Sequence, residues 1–334
     1  MRKFNIAIVG CGGVSGMHLD GYIQHPNRLS VVAACDADLS LARLACDEYS
    51  IASAFGSVAE MVAGADWEVA VACTPTPVRL EVVAELAAAG KHVLVEKPMA
   101  DSFGEALQVV EACDAAGVKL AVNQNFRWHY GFDIARRLIA EGRLGKVHSV
   151  VHTDLHLRQD AGWRIGCERH TLAVMGVHWL DGFRWMLGCE AESVFCRTCS
   201  SDAIDCVGET DASVQIRFDG GTMVTYVQSF SSPIARNETL VLGDKASLVL
   251  NGRAALYDAE NTEAPVETWD NPYADKGISE ATFRSLGELL TAIEGEGEPV
   301  NSGRDNLKTI ALLDGAYRSA EAGRIVELER GLPK

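Results

Sequence analysis

The feature that most constrains the fold is a regular alternation of short apolar runs and helical stretches through the first 122 residues. The apolar runs are nearly continuous, which is typical of strands buried on both faces of a parallel sheet. Strands are predicted at Phe4–Val9, Leu29–Cys35, 69–74, His92–Val95 and 118–122, and helices at 15–25, 39–48, 77–89 and 102–116. Because short connections between alternating strands and helices impose right-handed crossovers, residues 1–122 are predicted to form a doubly wound parallel α/β domain.

A glycine-rich turn, Gly10-Cys11-Gly12-Gly13-Val14-Ser15, joins the first predicted strand to the first predicted helix. Gly10 permits a tight turn, Gly12 lets the backbone approach a pyrophosphate, and Ser15 is small enough for close helix–strand packing. At the first crossover this pattern is typical of a Rossmann domain that binds a dinucleotide, and a flexible turn without a ligand is the alternative. The predicted contacts to a nicotinamide cofactor are Gly10, Gly12, Gly13, Val14 and Ser15.

Asp36 ends the second predicted strand and indicates which nicotinamide cofactor is used. An acid about 20 residues beyond the glycine turn can accept hydrogen bonds from the ribose hydroxyls, and its charge would repel the additional phosphate of NADP. The next residues, Ala37 and Asp38, supply no cation to offset that repulsion. The sequence therefore favours NAD, with NADP as the less favoured cofactor.

Residues 123–334 lose the strand–helix rhythm and are predicted to form a second α/β domain. Its pattern predicts a large, open, mostly antiparallel sheet with helices on one face. The predicted strands are 147–157, 193–198, 212–218, 222–230, 238–242 and 247–250, and the predicted helices are 131–141, 279–294 and 305–322. In the first of these strands, alternation places Val147, Val151, Leu155 and Leu157 on the face beneath the helices, and His148, His152, Asp154 and His156 on the open face. The open face is predicted to be an oligomer surface.

Two groups of residues are candidates for chemistry. Glu96-Lys97-Pro98 follows a strand at its carboxyl end, where doubly wound sheets bind ligands, so Lys97 could bond to a substrate oxygen. His178 could accept a proton, and Asp181, three residues further along a predicted helix, could orient its ring. The alternatives are a surface lysine before a turn proline and a structural histidine.

The order and setting of these motifs resemble the glucose–fructose oxidoreductase/inositol dehydrogenase (Gfo/Idh/MocA) family. The similarity extends over nearly the whole chain. Besides the glycine turn, it rests on Thr74-Pro75, Glu96-Lys97-Pro98, Arg127, the turn 142–147, Gly176-x-His178-x-x-Asp181 and Ser319-Ala320-x-x-Gly323-Arg324. Members combine a Rossmann domain with an open-sheet α/β domain through which they oligomerise, so the resemblance implies a homodimer or homotetramer.

The resemblance also implies roles for individual residues. Lys97 matches the catalytic lysine that bridges substrate and nicotinamide, and His178 matches the histidine that takes or relays the proton. Many members carry an acid four residues before that histidine, where this chain has Val174, which leaves Asp181 as the substitute. Further cofactor contacts are expected at Thr74, Pro75, Glu96, Lys97 and Asn123, and substrate contacts at Lys97, Arg127, Trp163, Arg164, His170 and His178.

Composition argues against several classes of partner. The formal net charge of -16 and the absence of a basic patch disfavour nucleic acid. Apolar runs fall short of the ~20 residues that span a bilayer, and no signal-peptide pattern is seen at the N-terminus. The ten cysteines are scattered, as expected of reduced thiols in a cytoplasmic protein.

No metal site is predicted. His152 and His156 are about 13 Å apart along a strand, which is too far for two imidazoles to share one ion comfortably. A zinc site at Cys196-x-x-Cys199 is an alternative, but the spacing of the other cysteines is irregular.

The expected function is transfer of a hydride between NAD and a hydroxyl of a sugar, cyclitol or related polyol. Two alternatives remain open at this point. One is a glycoside hydrolase of the same fold that uses tightly held NAD transiently, and the other is a catalytically silent regulator that binds NAD or a sugar.

Overall fold

A computed structural model describes residues 2–272, 274, 277–295 and 297–328. The chain divides into two compact units. The described part of unit 1 is 2–125, 277–295 and 297–310, and that of unit 2 is 126–272, 274 and 311–328. Within these residues, no helix combines the length and the apolar character needed to cross a membrane.

Unit 1 contains a six-stranded sheet in which every pair of neighbouring strands is parallel. Its strands are β1 (Phe4–Val9), β2 (Leu29–Cys35), β3 (Ser53–Phe55), β4 (Val69–Ala72), β5 (His92–Val95) and β6 (Leu120–Val122), in the order β3-β2-β1-β4-β5-β6. The connecting helices are α1 (Gly13–Tyr22), α2 (Leu39–Tyr49), α3 (Val58–Gly64), α4 (Thr76–Ala88) and α5 (Phe103–Ala115). The predicted doubly wound fold is confirmed. The strand order reverses between β1 and β4, where such sheets bind ligands.

A later helix, α8 (Gly277–Gly295), also belongs to unit 1. Leu286, Leu289 and Leu290 of α8 lie in the same buried cluster as β1. The contact of α8 with α1 is close, because a Cβ at Gly21 would lie 2.4 Å from the carbonyl oxygen of Ser279. Each compact unit therefore contains two segments of the chain, whereas the sequence predicts a single boundary between residues 122 and 123. An amphipathic pattern predicts a helix with a buried face, but it does not identify which core that face joins.

Unit 2 is built on a nine-stranded sheet in the order β14-β13-β12-β11-β7-β10-β9-β8-β15. All neighbouring strands are antiparallel except β7 and β10, so the predicted mostly antiparallel sheet is confirmed. The strands are β7 (Val147–Leu157), β8 (Ala191–Cys199), β9 (Asp211–Phe218), β10 (Met223–Ser229), β11 (Ser231–Gly243), β12 (Ala246–Leu250), β13 (Ala254–Asp258), β14 (Glu267–Trp269) and β15 (Val326–Glu327). The other α-helices of the described residues are α6 (Tyr130–Ala140) and α7 (Val177–Leu187) in unit 2, and α9 (Gly303–Ala322), which begins in unit 1 and ends in unit 2.

The predicted assignment of faces on β7 is wrong. His152 and Asp154 are buried against α7, whereas Val151 and Leu155 on the other face are only partly buried. The buried polar atoms have partners: Asp154 accepts a hydrogen bond from Trp179, and His152 Nδ1 lies 2.8 Å from Thr239 Oγ1. Alternation identifies two faces of a strand, but it cannot show that the more polar face is the covered one.

Close packing in unit 2 predicts that Gly182→Ala destabilises the protein. A Cβ at this position of α7 would lie 2.3 Å from a ring carbon of Phe132, and overpacking of this kind costs about 1–3 kcal/mol. Gly287→Ala in α8 is the matched control, because no atom lies within 4 Å of its added Cβ. Urea denaturation should give a lower free energy of unfolding for the first variant and an equal or higher one for the control. Equal values for Gly182→Ala and the unaltered protein would contradict the packing.

Candidate active site

The glycine turn of unit 1 has the geometry of a phosphate-binding turn. Gly10 has φ +87°, and a Cβ there would lie 3.0 Å from the carbonyl carbon of Cys73, so a larger residue would strain the turn. A Cβ added at Gly12 or Gly13 would meet no atom within 4 Å. Helix α1 begins at Gly13, and its N-cap Gly12 provides no side chain to satisfy the first amides. The residues present therefore fit a pyrophosphate at the start of α1.

Asp36 stands at the end of β2 with its carboxylate already oriented. Oδ2 accepts a hydrogen bond from the backbone N–H of Cys11 at 2.7 Å, and Oδ1 accepts one from the N–H of Asp38 at 2.9 Å. The first bond ties the acid directly to the glycine turn. A carboxylate held there fits ribose hydroxyls as donors, because each oxygen has a further lone pair to offer.

Glu96 places Lys97 at the carboxyl edge of the unit 1 sheet. Its side chain is buried beside the end of β5, and Oε2 accepts a hydrogen bond from the backbone N–H of Lys97 at 3.1 Å. Oε1 lies 2.7 Å from His18 Nε2 and accepts a bond from Asn123 Nδ2 at 2.6 Å. The other ring nitrogen of His18 lies 2.7 Å from the hydroxyl of Tyr22. One carboxylate therefore joins α1, the end of β5 and the end of β6.

The charges in this network support one another. Burial alone would raise the pKa of Glu96, but hydrogen bonds from His18 and Asn123 and the nearby charges of His18 and Lys97 hold it at about 2. Burial lowers the pKa of His18, yet the surrounding thiol of Cys73, hydroxyl of Tyr22 and carboxylate of Glu96 raise it well above its ordinary value. Glu96 is therefore an anion, and a buried anion needs all of its donors.

Arg79 is a further member of this site that the sequence did not indicate. Its guanidinium is buried and donates to the carbonyl oxygens of Thr74 and Pro98, which follow β4 and β5. Burial lowers the pKa of Arg79 to about 10. Pro75, one of the predicted cofactor contacts, is the N-cap of α4. The sequence does not predict the burial of Arg79, because an arginine in a helix usually points into solvent.

In unit 2, the start of α7 carries His178. A single π-helical turn, Leu172–Gly176, precedes α7, and such turns occur frequently at functional sites. The ring of His178 is buried and stacks on Phe126 at a centroid distance of 4.1 Å and an interplanar angle of 14°. The helical segment is therefore well anchored around the predicted catalytic histidine.

Glu209 fixes the beginning of this helical segment and was not predicted. Its carboxylate accepts hydrogen bonds from the backbone N–H groups of His170 and Leu172, both at 2.9 Å, and from the hydroxyl of Tyr317 at 2.7 Å. The Tyr317 hydroxyl in turn accepts a bond from the N–H of Ala173 at 3.1 Å. Glu209 lies far from α7 in the sequence, so no local pattern could have connected the two.

Asp181 is paired with Arg127. The guanidinium donates from Nε and Nη2 to the two carboxylate oxygens, both at 2.6 Å, and both side chains are at most 2% exposed. Arg184 Nη1 lies 3.5 Å from the same carboxylate. The carboxylate and the guanidinium are therefore fixed against each other, and the substrate contact of Arg127 and the orientation of His178 by Asp181 stay predictions.

The other predicted substrate residues fall into two environments. His170 is fully buried, with Nε2 3.0 Å from Asp160 Oδ2, and Arg158 Nη2 donates to Oδ1 of the same carboxylate at 2.9 Å. Burial would raise the pKa of Asp160, but the bonds from His170 and Arg158 hold it at about 2. Trp163 is 48% exposed, and the guanidinium of Arg164 lies 5.5 Å from its ring centre. Trp163 and Arg164 are therefore accessible to a ligand, and His170 is not.

Within the described residues, no group of three or more His, Cys, Asp or Glu is placed to hold a metal ion. Cys196 is buried and Cys199 is exposed, as expected for two residues on opposite faces of β8. His152 is buried with Thr239, and burial lowers its pKa to about 3.

Comparison with known families gives two matches. The family model described as "Oxidoreductase family, NAD-binding Rossmann fold" of the GFO/IDH/MocA group matches residues 4–124. The model of the GFO/IDH/MocA C-terminal domain matches residues 132–249.

Individual proteins are similar over most of the chain. A D-apiose dehydrogenase of Paraburkholderia graminis is 28% identical over 98% of this chain and 91% of its own length. A 1,5-anhydro-D-fructose reductase of Ensifer adhaerens is 29% identical over 85% of this chain and 87% of its own. The crystal structure of the WlbA dehydrogenase of Bordetella pertussis, in complex with NADH and UDP-GlcNAcA, has a TM-score of 0.83 and 26% identity, covering 99% of this chain and all of that one (100%).

The placement of Asp36 predicts a change in cofactor preference. Asp36→Ala should weaken NAD+ binding roughly 10- to 100-fold, because charge-assisted hydrogen bonds contribute about 1.5–3 kcal/mol. NADP+ should lose much less affinity, or gain some, because the repulsion of its phosphate disappears. Calorimetric titration of both cofactors measures this, with Asp38→Ala as the control. Equal losses for the two cofactors would remove Asp36 from the ribose contact.

Proposed function

The chain belongs to the Gfo/Idh/MocA family of oxidoreductases, and we propose that it is an NAD-dependent dehydrogenase acting on a CH–OH group of a sugar, cyclitol or related polyol. The observation that carries the proposal is the fixed position of Lys97. Its backbone is bonded to Glu96 at the carboxyl edge of the sheet that also carries the glycine turn and Asp36. A lysine at this edge can donate to a substrate oxygen.

The relatives support the class of substrate. Their names include D-apiose dehydrogenase, D-glucoside 3-dehydrogenase and inositol 2-dehydrogenase, which act on sugars or a cyclitol. The exposed Trp163 and Arg164 suit such a substrate, because aromatic and guanidinium groups can pack against and bond a polyhydroxyl compound.

The residues of the chain have separate roles in the proposed reaction. The glycine turn and Asp36 bind the cofactor, and Thr74, Pro75, Glu96 and Asn123 form the loops around Lys97. Lys97 donates a hydrogen bond to the oxygen that reacts, and this stabilises the charge that develops on it. A histidine of unit 2 accepts the hydroxyl proton, and the family resemblance assigns that role to His178. NAD+, when bound, supplies the acceptor for the hydride.

The two predicted domains receive corresponding roles in this proposal. Residues 1–122 bind the cofactor, and residues 123–334 supply the substrate contacts and the surface between subunits. The ten scattered cysteines suit a reducing compartment, so a cytoplasmic location is part of the proposal.

Lys97→Met tests the proposed reaction. Purified protein, NAD+ and a panel of monosaccharides, anhydrosugars and cyclitols are followed by nicotinamide absorbance. We expect reduction with one substrate class, and turnover about 10²–10³-fold lower in the variant, which is typical of losing a donor to a developing oxyanion. Cofactor affinity, measured by calorimetry, should change little. Lys91→Met, which removes a lysine outside the site, is the control.

The two alternative functions give different results in the same assay. A glycoside hydrolase that uses NAD transiently would show no net reduction and would release the chromophore from a chromogenic glycoside. A silent regulator would bind NAD tightly and do neither. Either result would replace the dehydrogenase as the function.

We further propose that the open face of the unit 2 sheet is the contact between subunits. Exposed polar residues alternate with buried apolar ones along β9, so one face is the core and the other faces outward. Near the centre of the outward face, Leu240 pairs in register with Val151 on one side and Val249 on the other. An apolar centre on an extended sheet face suits a self-complementary interface.

Leu240→Arg should therefore dissociate the oligomer. A charge at the centre of such an interface would be desolvated without a partner, which costs several kcal/mol. Sedimentation velocity should show a smaller species for this variant and an unchanged one for Leu44→Arg, because Leu44 is a 61% exposed leucine of α2 in unit 1. If the unaltered protein is a monomer, or if Leu240→Arg keeps its size, this surface is not the interface.

A further inference from the structure

A cavity in unit 2 has no role in the proposed function. Its volume is about 120 Å³, and the described residues that line it all belong to unit 2. Benzene fits an engineered protein cavity of roughly 150 Å³. The cavity of unit 2 therefore has room for one six-membered ring whose substituents point toward its opening.

The buried part of the cavity lining is mainly apolar. It consists of Phe132 of α6, Trp179 of α7 and Leu250 of β12, which also belong to the core of unit 2. Gly131 leaves space beside them, because an added Cβ would lie 3.4 Å from Cδ1 of Leu250 and 3.7 Å from Nδ1 of His129. The carbon-bound hydrogens of a ring can pack against such a surface.

Two polar residues of β11, Asn237 and Thr239, line the same cavity in fixed positions. Asn237 Nδ2 donates to Asp154 Oδ1 at 3.2 Å, and Thr239 Oγ1 lies 2.8 Å from His152 Nδ1. Because its amide nitrogen bonds to Asp154, Asn237 keeps its amide oxygen as an acceptor for a hydroxyl group. A hydroxylated ring therefore suits this lining better than a hydrocarbon ring.

Arg253 supplies a cation to the cavity lining. It follows Gly252 (φ +94°) in the turn between β12 and β13, where the N–H of Asn251 donates to the carbonyl oxygen of Arg253 at 3.1 Å. Arg253 is exposed, and in the described part of the chain its guanidinium has no ion pair or hydrogen bond. The turn therefore presents a charge that no carboxylate neutralises.

Arg253 is also the charged residue of this lining at neutral pH. His129 and Tyr130 line the cavity too, but burial lowers the pKa of His129 and raises that of Tyr130, so both are neutral near pH 7. No Asp or Glu is found among the described lining residues. In a chain with a net charge of -16, a local cation of this kind favours a ligand with an anionic group.

We propose that this cavity binds the ring of a sugar that carries one anionic group, a carboxylate or a phosphate. The ring packs against the apolar lining, a ring hydroxyl donates to the amide oxygen of Asn237, and the anionic group accepts hydrogen bonds from Arg253. The site uses no residue of the glycine turn and needs no turnover. Its occupation can therefore be measured whether or not the dehydrogenase function holds.

Calorimetric titration of the full-length protein tests this binding, with NADH present so that the glycine turn is occupied. The probes are D-glucuronate, D-galacturonate and D-glucose 6-phosphate, and D-glucose and D-galactose are their neutral counterparts. At least one anionic sugar should bind at one site per chain and about 5-fold more tightly than its neutral counterpart, because exposed ion pairs contribute up to about 1 kcal/mol. Comparison of the uronates with the phosphate identifies the preferred anionic group.

Two variants locate the site. Arg253→Gln should remove the preference for the anionic sugar, whereas Arg324→Gln, which changes an exposed arginine of unit 2 outside the cavity, should keep it. Gly131→Ala should weaken binding of the anionic sugar several-fold, because its methyl group takes up space beside Leu250. Alanine is favoured over glycine in a helix by up to about 1 kcal/mol, so this variant should unfold in urea no earlier than the unaltered protein.

The outcomes separate this site from the proposed reaction. If no anionic sugar binds more tightly than its neutral counterpart, or if Arg253→Gln and Arg324→Gln change the affinity equally, the cavity does not bind this class of ligand. Unchanged affinity in Gly131→Ala would also contradict the site. Binding of an anionic sugar by a protein that reduces no NAD+ would keep the site and remove the dehydrogenase, and oxidation of a neutral sugar without such binding would do the reverse.

Discussion

The buried carboxylate of Glu96 is the interaction on which the candidate site of unit 1 depends. An isolated buried anion is very unfavourable, so its donors must all be in place in the folded protein. Those donors come from α1, from Lys97 and from the end of β6. Since α1 also begins at the glycine turn, the phosphate-binding turn and the proposed catalytic lysine are joined through one side chain. A shift of either would remove one of the donors to the carboxylate.

Unit 2 uses buried carboxylates in the same way. Asp181 is paired with Arg127, Glu209 binds the first amides of the segment that leads into α7, and Asp154 receives the indole N–H of Trp179. Each of these acids bonds a group distant in sequence, and each fixes part of α7 or the chain before it. The chain around the proposed catalytic His178 is therefore positioned largely by buried carboxylates, as a preorganised site requires.

The sequence predicted what is encoded locally. The glycine turn, Asp36 and Lys97 could be identified because each follows a strand whose apolar run is unmistakable, and strand ends of a parallel sheet share one edge. Arg79, Glu209 and the burial of His152 and Asp154 could not, because their partners are distant in sequence and their residue types are ordinarily exposed. The packing of α8 in unit 1 was not predicted either, because its apolar face would suit either core.

Trp179 shows how one buried carboxylate can connect two elements of unit 2. A buried carboxylate needs donors, and these can come from a helix or from another strand. Asp154 of β7 accepts the indole N–H of Trp179 from α7 and the side-chain amide of Asn237 from β11. Because the indole bonds strand to helix, an acid on β7 remains beside the start of α7. The polar face of β7, which the sequence predicts to be open, is therefore the face that connects the sheet to α7.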